Sequence, residues 1–120
     1  MAVKYCHDKG IIHRDLKPEN ILLKLDSKNE IVDIRIADFD ISKENKKHLC
    51  QNGFSGTPSF TAPEMFKFGN YFDHRVDIWC LGLISHFIMV GKHPLDKFNC
   101  INQVAYFMKN IEEIVQTDDE

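Results

Sequence analysis

Eight consecutive residues, His13-Arg14-Asp15-Leu16-Lys17-Pro18-Glu19-Asn20, crowd a carboxylate, an ammonium and an amide into one short stretch. Moving a phosphoryl group onto a hydroxyl needs an acceptor for the hydroxyl proton, a cation near the transferred phosphate and an oxygen ligand for magnesium. Asp15, Lys17 and Asn20 can supply these in turn. Most of the rate of such a reaction comes from positioning and charge neutralisation, so the three groups must stand on a rigid loop. The plainer alternative is a polar turn joining a helix to a strand. A second carboxylate, Asp38, closes an alternating apolar run, and a strand end is a good place to present oxygen to a hard cation.

Several elements must hold these groups. Residues 1–9 have the spacing of a helix end, with Val3, Cys6 and His7 on one face and Gly10 as the stop. Ile21 to Leu23 reads as a short strand. Val32, Ile34 and Ile36 alternate with Asp33 and Arg35, the period of a half-buried strand. With the polar turn Asp26 to Glu30 between them, the two runs predict a small hairpin. Asp38 to Glu64 has no steady period and holds Gly53, Gly56, Pro58 and Pro63; an irregular segment of that length inside a domain is usually functional. Val76 to Val90 is apolar almost all round and predicts a fully buried helix, with Trp79 and Leu81 in the core. Cys100 to Val115 is more amphipathic, with Ile101, Val104, Ala105, Met108, Ile111 and Val115 on one side. Asp118, Asp119 and Glu120 make a short acidic end, read as a solvated tail.

Composition narrows the classes. With 43% hydrophobic residues, the 120-residue chain can fill one core and is no disordered segment. Its net charge of -3 gives no general attraction to nucleic acid or anionic membrane, and neither is expected as a partner. Cys6, Cys50, Cys80 and Cys100 form no C-x-x-C pair, which removes the zinc-ribbon and thioredoxin readings and fits a reduced, intracellular and cytoplasmic setting. The most apolar run, Ile78 to Gly91, is shorter than the about 20 residues of a membrane span and is interrupted by His86.

The string His13–Asn20 resembles the catalytic loop of eukaryotic protein kinases of the serine/threonine type. The resemblance implies that Asp15 is the catalytic base, that Lys17 steadies the transferring phosphoryl group, and that Lys17, Glu19, Asn20 and Asp38 gather around ATP, with Asn20 and Asp38 on Mg2+. Arg14 would reach the activation segment, while His13 would be a packed structural residue. Asp38-Phe39-Asp40 resembles the D-F-G motif, with Phe39 as a packing switch. Asp40 stands where glycine is usual, which puts the customary flip of that motif in question. Gly56-Thr57-Pro58-Ser59-Phe60-Thr61-Ala62-Pro63-Glu64 resembles the end of a kinase activation segment, with Thr57 hydrogen-bonded near Asp15 and Lys17 and Phe60 flooring the peptide groove. Between Asp40 and Gly56 the phosphorylatable residues are Ser42 and Ser55; since the usual position falls near Gly53, Ser55 is either a substitute phosphosite or a solvated loop serine. Asp73 to Gly82 resembles the start of the central buried helix, with Asp77 a structural anchor for the backbone of His13 and Arg14. Gly91 to Leu95 resembles the loop that follows it.

These matches imply a mainly α fold with a small β-hairpin: a kinase large lobe over residues 1–120, without the small lobe and the last helices. No G-x-G-x-x-G precedes the loop, nor the strand lysine and helix glutamate that clamp ATP. The expected function is phosphoryl transfer from ATP to Ser/Thr of a protein substrate, by a partial catalytic domain inactive alone and prone to expose apolar surface. The alternative is a non-catalytic kinase-like module that binds or regulates partners. Asp15, Lys17, Asn20 and Asp38 are all present, which favours the enzyme; Asp40 and the short length favour the module. The general loop style resembles the calcium/calmodulin-dependent branch.

Overall fold

A computed structural model describes residues 2–40, 42–44, 50–51, 57–66, 71–98 and 101–111. Among them the chain is mainly helical, with a small antiparallel hairpin. Helix α1 (Ala2–Asp8) leads through Gly10, whose φ of 72° ends the helix, into strand β1 (Ile11–Ile12). The loop that follows carries a 3-10 turn, Pro18–Asn20. Strands β2 (Ile21–Leu25) and β3 (Ile31–Ile36) pair antiparallel, Ile21 opposite Ile36 and Leu23 opposite Ile34. Their turn is built by side chains suited to it: Asp26 Oδ1 accepts the amides of Lys28 (2.8 Å) and Glu30 (2.9 Å), and Asn29 takes φ 62°.

Beyond Asp38 two short bridges fasten the described residues. Strand β4 (Lys43–Glu44) pairs with β1, and β5 (Cys50–Gln51) pairs with β6 (Tyr71–Phe72). Two further 3-10 turns, Pro58–Phe60 and Pro63–Phe66, each begin at a proline, which has no amide hydrogen to leave unpaired. Helix α2 (Arg75–Val90) starts where Asp73 Oδ1 accepts the Arg75 amide at 2.9 Å, and ends at Gly91 (φ 74°), whose amide donates to Phe87 O at 2.8 Å. Helix α3 (Ile101–Lys109) covers most of the described part of the expected Cys100–Val115 helix, with Val104 and Met108 buried; Cys100, Val115 and the acidic end lie outside the described residues.

Among the described residues three packed groups make the core. Ile12, Ala62, Met65, Phe72 and Val76 form one; Val3, Leu16, Phe60, Cys80 and Ile84 form the second; Leu95, Val104 and Met108 form the third. Helix α2 contributes Val76, Cys80 and Ile84 at four-residue steps, so one stripe of it ties the first two together.

Three expectations about burial are corrected. Helix α2 is not buried all round: Ile78 and the end Phe87 to Val90 are exposed, Met89 by 85%. Apolar composition stated what the helix can bury, but among the described residues only Val76, Asp77, Cys80 and Ile84 of it are fully buried, with Trp79, Leu81 and Leu83 packed partly against the core. Trp79 and Leu81 are correspondingly half-buried. The hairpin is not half-buried either, for Leu22, Leu23 and Leu25 on one strand and Ile31, Val32 and Ile34 on the other are exposed; only its base, Ile21 and Ile36, packs on the core. No described helix is long and apolar enough to cross a membrane.

Candidate active site

The loop between β1 and β2 is shaped by its one apolar side chain. Leu16 is wholly buried against the group that includes Phe60, Cys80 and Ile84. Its neighbours Asp15 and Lys17 stay half-buried at the surface, as alternation in extended backbone requires. Lys17 is itself extended (φ −155°, ψ 163°), the conformation favoured before proline, and Pro18 then opens the turn that delivers Asn20.

Asp15, Lys17 and Thr57 form a closed ring. Thr57 donates twice to Asp15 Oδ1, from its amide and from Oγ1, both at 2.9 Å. Lys17 Nζ donates to Thr57 Oγ1 at 2.8 Å and stands 3.1 Å from Asp15 Oδ2. Partial burial pushes the Asp15 carboxyl up, but the Lys17 and Thr57 hydrogen bonds outweigh it and hold the carboxyl below the usual carboxylate range. Asp15 is therefore an ionised acceptor at neutral pH. A carboxylate held so low is a weak base, suited to orienting a hydroxyl and taking its proton late.

Asn20 and Asp38 are brought to the same end of the hairpin. Asn20 is buried and its Nδ2 donates to Asp15 O at 2.9 Å, which leaves the amide oxygen as its free acceptor. The backbone continues the ladder one step past β2 and β3: the Ala37 amide donates to Asn20 O at 2.9 Å, and Asp38 follows directly. Asp38 is exposed and takes φ 64°, a left-handed angle that Asp accepts more readily than most residues. Asp40 does not share that angle, so the residue in place of glycine sits here without backbone strain. Ser42 closes the turn, donating from both its amide (3.0 Å) and Oγ (2.6 Å) to Phe39 O.

Among the described residues no three of His, Cys, Asp and Glu gather into a metal site of their own. An oxygen pair such as Asn20 and Asp38 suits magnesium, which usually takes one or two protein ligands and completes its shell with phosphate oxygens and water. The donor set therefore fits that ion in company with a nucleotide. Glu19 is exposed on the Pro18–Asn20 turn.

Beneath the loop lies Asp77, in the first turn of α2 and 0% exposed. Its Oδ2 accepts the His13 amide at 2.9 Å and its Oδ1 the Arg14 amide at 2.8 Å. Arg14 itself holds φ 71°. Its guanidinium is buried, 5.9 Å over the ring of Phe72, on the strand that pairs with Cys50–Gln51. His13 donates from Nε2 to Ala37 O (2.9 Å) while Nδ1 accepts the Asp15 amide (3.2 Å), and its ring packs edge-on to Phe39 at 4.6 Å.

The other candidate residues fall elsewhere. Phe60, expected to floor a groove, is buried in the core, its ring edge-on to His93 at 4.5 Å; the Pro58–Phe60 turn points it inward. Glu64 is half-buried on the Pro63–Phe66 turn. The pKa of Arg75, at the start of α2, is raised chiefly by its hydrogen bonds to Asp73, with the charge of Glu64 adding to it. Gly53, Ser55 and Gly56 lie outside the described residues. Two contacts escaped the sequence reading: His7 Nε2 lies 2.7 Å from Asp77 Oδ2, and the Cys80 thiol donates to Phe60 O at 3.1 Å. No sequence signal links His7 to a residue seventy positions away.

The protein kinase domain profile matches residues 1–120. Sperm motility kinase 2B of Mus musculus is 40% identical over 95 residues, 79% of this chain and 19% of that protein. Calcium/calmodulin-dependent protein kinase type I of Schizosaccharomyces pombe is 39% identical over 111 residues, 91% of this chain and 32% of that protein. Calcium/calmodulin-dependent protein kinase cmkB of Emericella nidulans is 42% identical over 106 residues, 86% of this chain and 25% of that protein. The chain thus spans a third or less of the length of these relatives. By its loop, its hairpin and its profile match, the chain belongs to the protein kinase domain family, with calcium/calmodulin-dependent kinases among its relatives.

Proposed function

We propose that this chain carries the phosphoryl-transfer half of a serine/threonine protein kinase, acting on Ser or Thr of a protein substrate with ATP and Mg2+, and that it works within a longer catalytic domain. The observation that carries this is the closed ring of Asp15, Lys17 and Thr57, joined through Asn20 to Asp38. Asp15, kept ionised, orients the acceptor hydroxyl and receives its proton. Lys17, already beside Asp15, offers its ammonium to the transferred phosphate without a large reorganisation. Asn20 and Asp38 would hold magnesium, which when bound neutralises phosphate charge. Thr57 fixes the Asp15 carboxylate through both of its donors, so the segment ending at Glu64 is coupled to the loop. Asp40 is compatible with this reading, because its backbone angle demands no glycine.

The deciding experiment is Asp15→Asn in a protein containing the whole catalytic domain. Transfer to a serine peptide should fall by about 10²–10⁴ in kcat, the usual worth of a positioned base, with KM for ATP unchanged. Undiminished turnover by that variant would remove Asp15 as the base. Absence of transfer by the unaltered whole protein would favour the partner-binding module.

A further inference from the structure

The turn that carries Asp38 is held from two sides. On one side the Phe39 ring lies edge-on to His13 at 4.6 Å, and His13 is itself tied to Ala37 O at 2.9 Å. On the other, Ser42 gives both its donors to Phe39 O, the amide at 3.0 Å and Oγ at 2.6 Å. Asp38 stands directly before Phe39 at φ 64°, and a residue with a side chain keeps such an angle only where its neighbours hold it. The Ser42 hydroxyl is the hold within reach of an outside reagent. Ser42 is half-buried, and Asp38, Phe39 and Asp40 before it are exposed.

A serine hydroxyl donates a hydrogen bond; the oxygen of a phosphate ester does not. A phosphate on Ser42 would replace the bond to Phe39 O by two acceptors facing each other. It would also add a charge of about −1.5 to −2 two residues from Asp40 and four from Asp38. Lys17 and Arg35, cations of the neighbouring loop and strand, are already engaged, the first with Asp15 and Thr57, the second with Asp33.

We propose that Ser42 is a phosphorylation site at which the phosphate opens the turn, releases Asp38 and switches the site off. The inference rests on the proposed kinase activity and on Asp38 as a metal ligand. The donor is ATP, and the transferring enzyme is a second copy of the whole kinase, whose proposed chemistry is the one Ser42 needs. The Ser42 oxygen bonds to the γ-phosphorus, the bond from that phosphorus to the bridging oxygen breaks, ADP leaves, and the hydroxyl proton passes to the Asp15 carboxylate of the second copy. The hydroxyl is modified while the turn is briefly open, and the phosphate then keeps the turn from closing.

Whole catalytic domain carrying Asp15→Asn is incubated with the unaltered domain, ATP and Mg2+, and the phosphate is located by peptide mapping. It should sit on Ser42. No phosphate there, while a serine peptide is phosphorylated, overturns this proposal and leaves the proposed function standing; transfer to neither removes both. In the 120-residue chain, phosphoserine is placed at position 42 during synthesis, with Ser42→Ala as the uncharged control. Amide exchange is measured at Ser42, with Val104 and Met108 of α3 as reference, together with cross-relaxation between the rings of Phe39 and His13. Phosphoserine should speed exchange at Ser42 by about tenfold more than at the reference amides and abolish the ring-to-ring signal. Ser42→Ala keeps the amide bond, so it should stay within about threefold of the unaltered chain and keep the signal. An undisturbed turn under phosphoserine, or a turn that Ser42→Ala opens as far, refutes the idea. If the phosphorylated chain unfolds altogether, Ser42→Asp must show the local opening, and a closed turn in that variant is equally fatal. In the whole domain, phosphoserine at 42 should lower kcat and raise the Mg2+ concentration that gives half the maximal rate, and phosphatase should restore both; a change in the peptide KM alone counts against release of Asp38.

Discussion

Asp77→Ala would remove the acceptor for two buried amides and one imidazole at once. The amides of His13 and Arg14 would have no water to turn to, because Asp77 and its surroundings are closed to solvent. Each buried donor left unpaired costs about 1–3 kcal/mol. His7, partly exposed, can recover some of its share from water. Against this, Arg14 could relax from its left-handed angle, which returns about 1–2 kcal/mol. The net loss comes to about 2–5 kcal/mol, a large part of the about 5–15 kcal/mol by which small domains are stable. Asp77→Asn should cost less. With its carbonyl oxygen in the Oδ2 position it still accepts from His7 and His13, and only its NH2 faces the Arg14 amide. That is one lost bond and one donor set against another, about 2 kcal/mol. Urea unfolding followed by the fluorescence of the single tryptophan, Trp79, gives both values by linear extrapolation. If Asp77→Ala stays within about 1 kcal/mol of the unaltered chain, or Asp77→Asn proves the worse of the two, the anchoring argument is wrong.

Thr57→Val keeps the amide bond to Asp15 and removes the hydroxyl one, so the Asp15 carboxyl should titrate higher than in the unaltered chain; carbon NMR of the carboxyl reads this directly. Because that pKa is depressed in the folded state, the stability it contributes is present above the ordinary carboxylate pKa and fades as pH falls through the folded value. The substitution should flatten that acid limb in pH-dependent unfolding. Burial pushes the Cys80 thiol up to about 12 from 9.0, so its thiolate fraction near pH 8 falls about a thousandfold. Iodoacetamide followed by peptide mapping should find Cys80 unlabelled until urea unfolds the chain, and early labelling would contradict its burial. The two described glycines of α2 and its cap should respond with opposite signs. Gly82→Ala, in a helix interior with open space around it, should stabilise by about 0.5–1 kcal/mol. Gly91→Ala, at φ 74°, should destabilise by about 1 kcal/mol. Thermal melts distinguish the two.

Contiguous strings carried most of what could be read in advance. Asp15, Lys17 and Asn20 lie close in sequence, and a single buried leucine between them suffices to orient the loop. The hairpin was legible because Asp26 and Asn29 sit between two apolar runs and suit its turn. Burial was not legible in the same way. Val32 and Ile34 alternate as strand residues should, yet alternation says nothing of whether a partner covers their face. The apolar surround of α2 likewise describes a capacity that the described residues meet only in part. The burial of Phe60 depends on the 3-10 turn begun at Pro58, which the spacing of neighbouring letters does not encode. His7 escaped because its partner is distant in sequence, where no local periodicity reaches.

The hairpin has a mechanical meaning for the chemistry beside it. Asn20 leads into its first strand and Asp38 leaves its second by way of Ala37, so the rung between Ile21 and Ile36 works like the pivot of a pair of tweezers whose tips are the two proposed metal ligands. An isolated two-stranded ribbon is marginal in water. Whatever stiffens the far blades, by covering Leu23 and Ile34, would narrow the spread of distances between the tips. Whatever frays them would widen it and weaken the grip on the ion without touching either ligand.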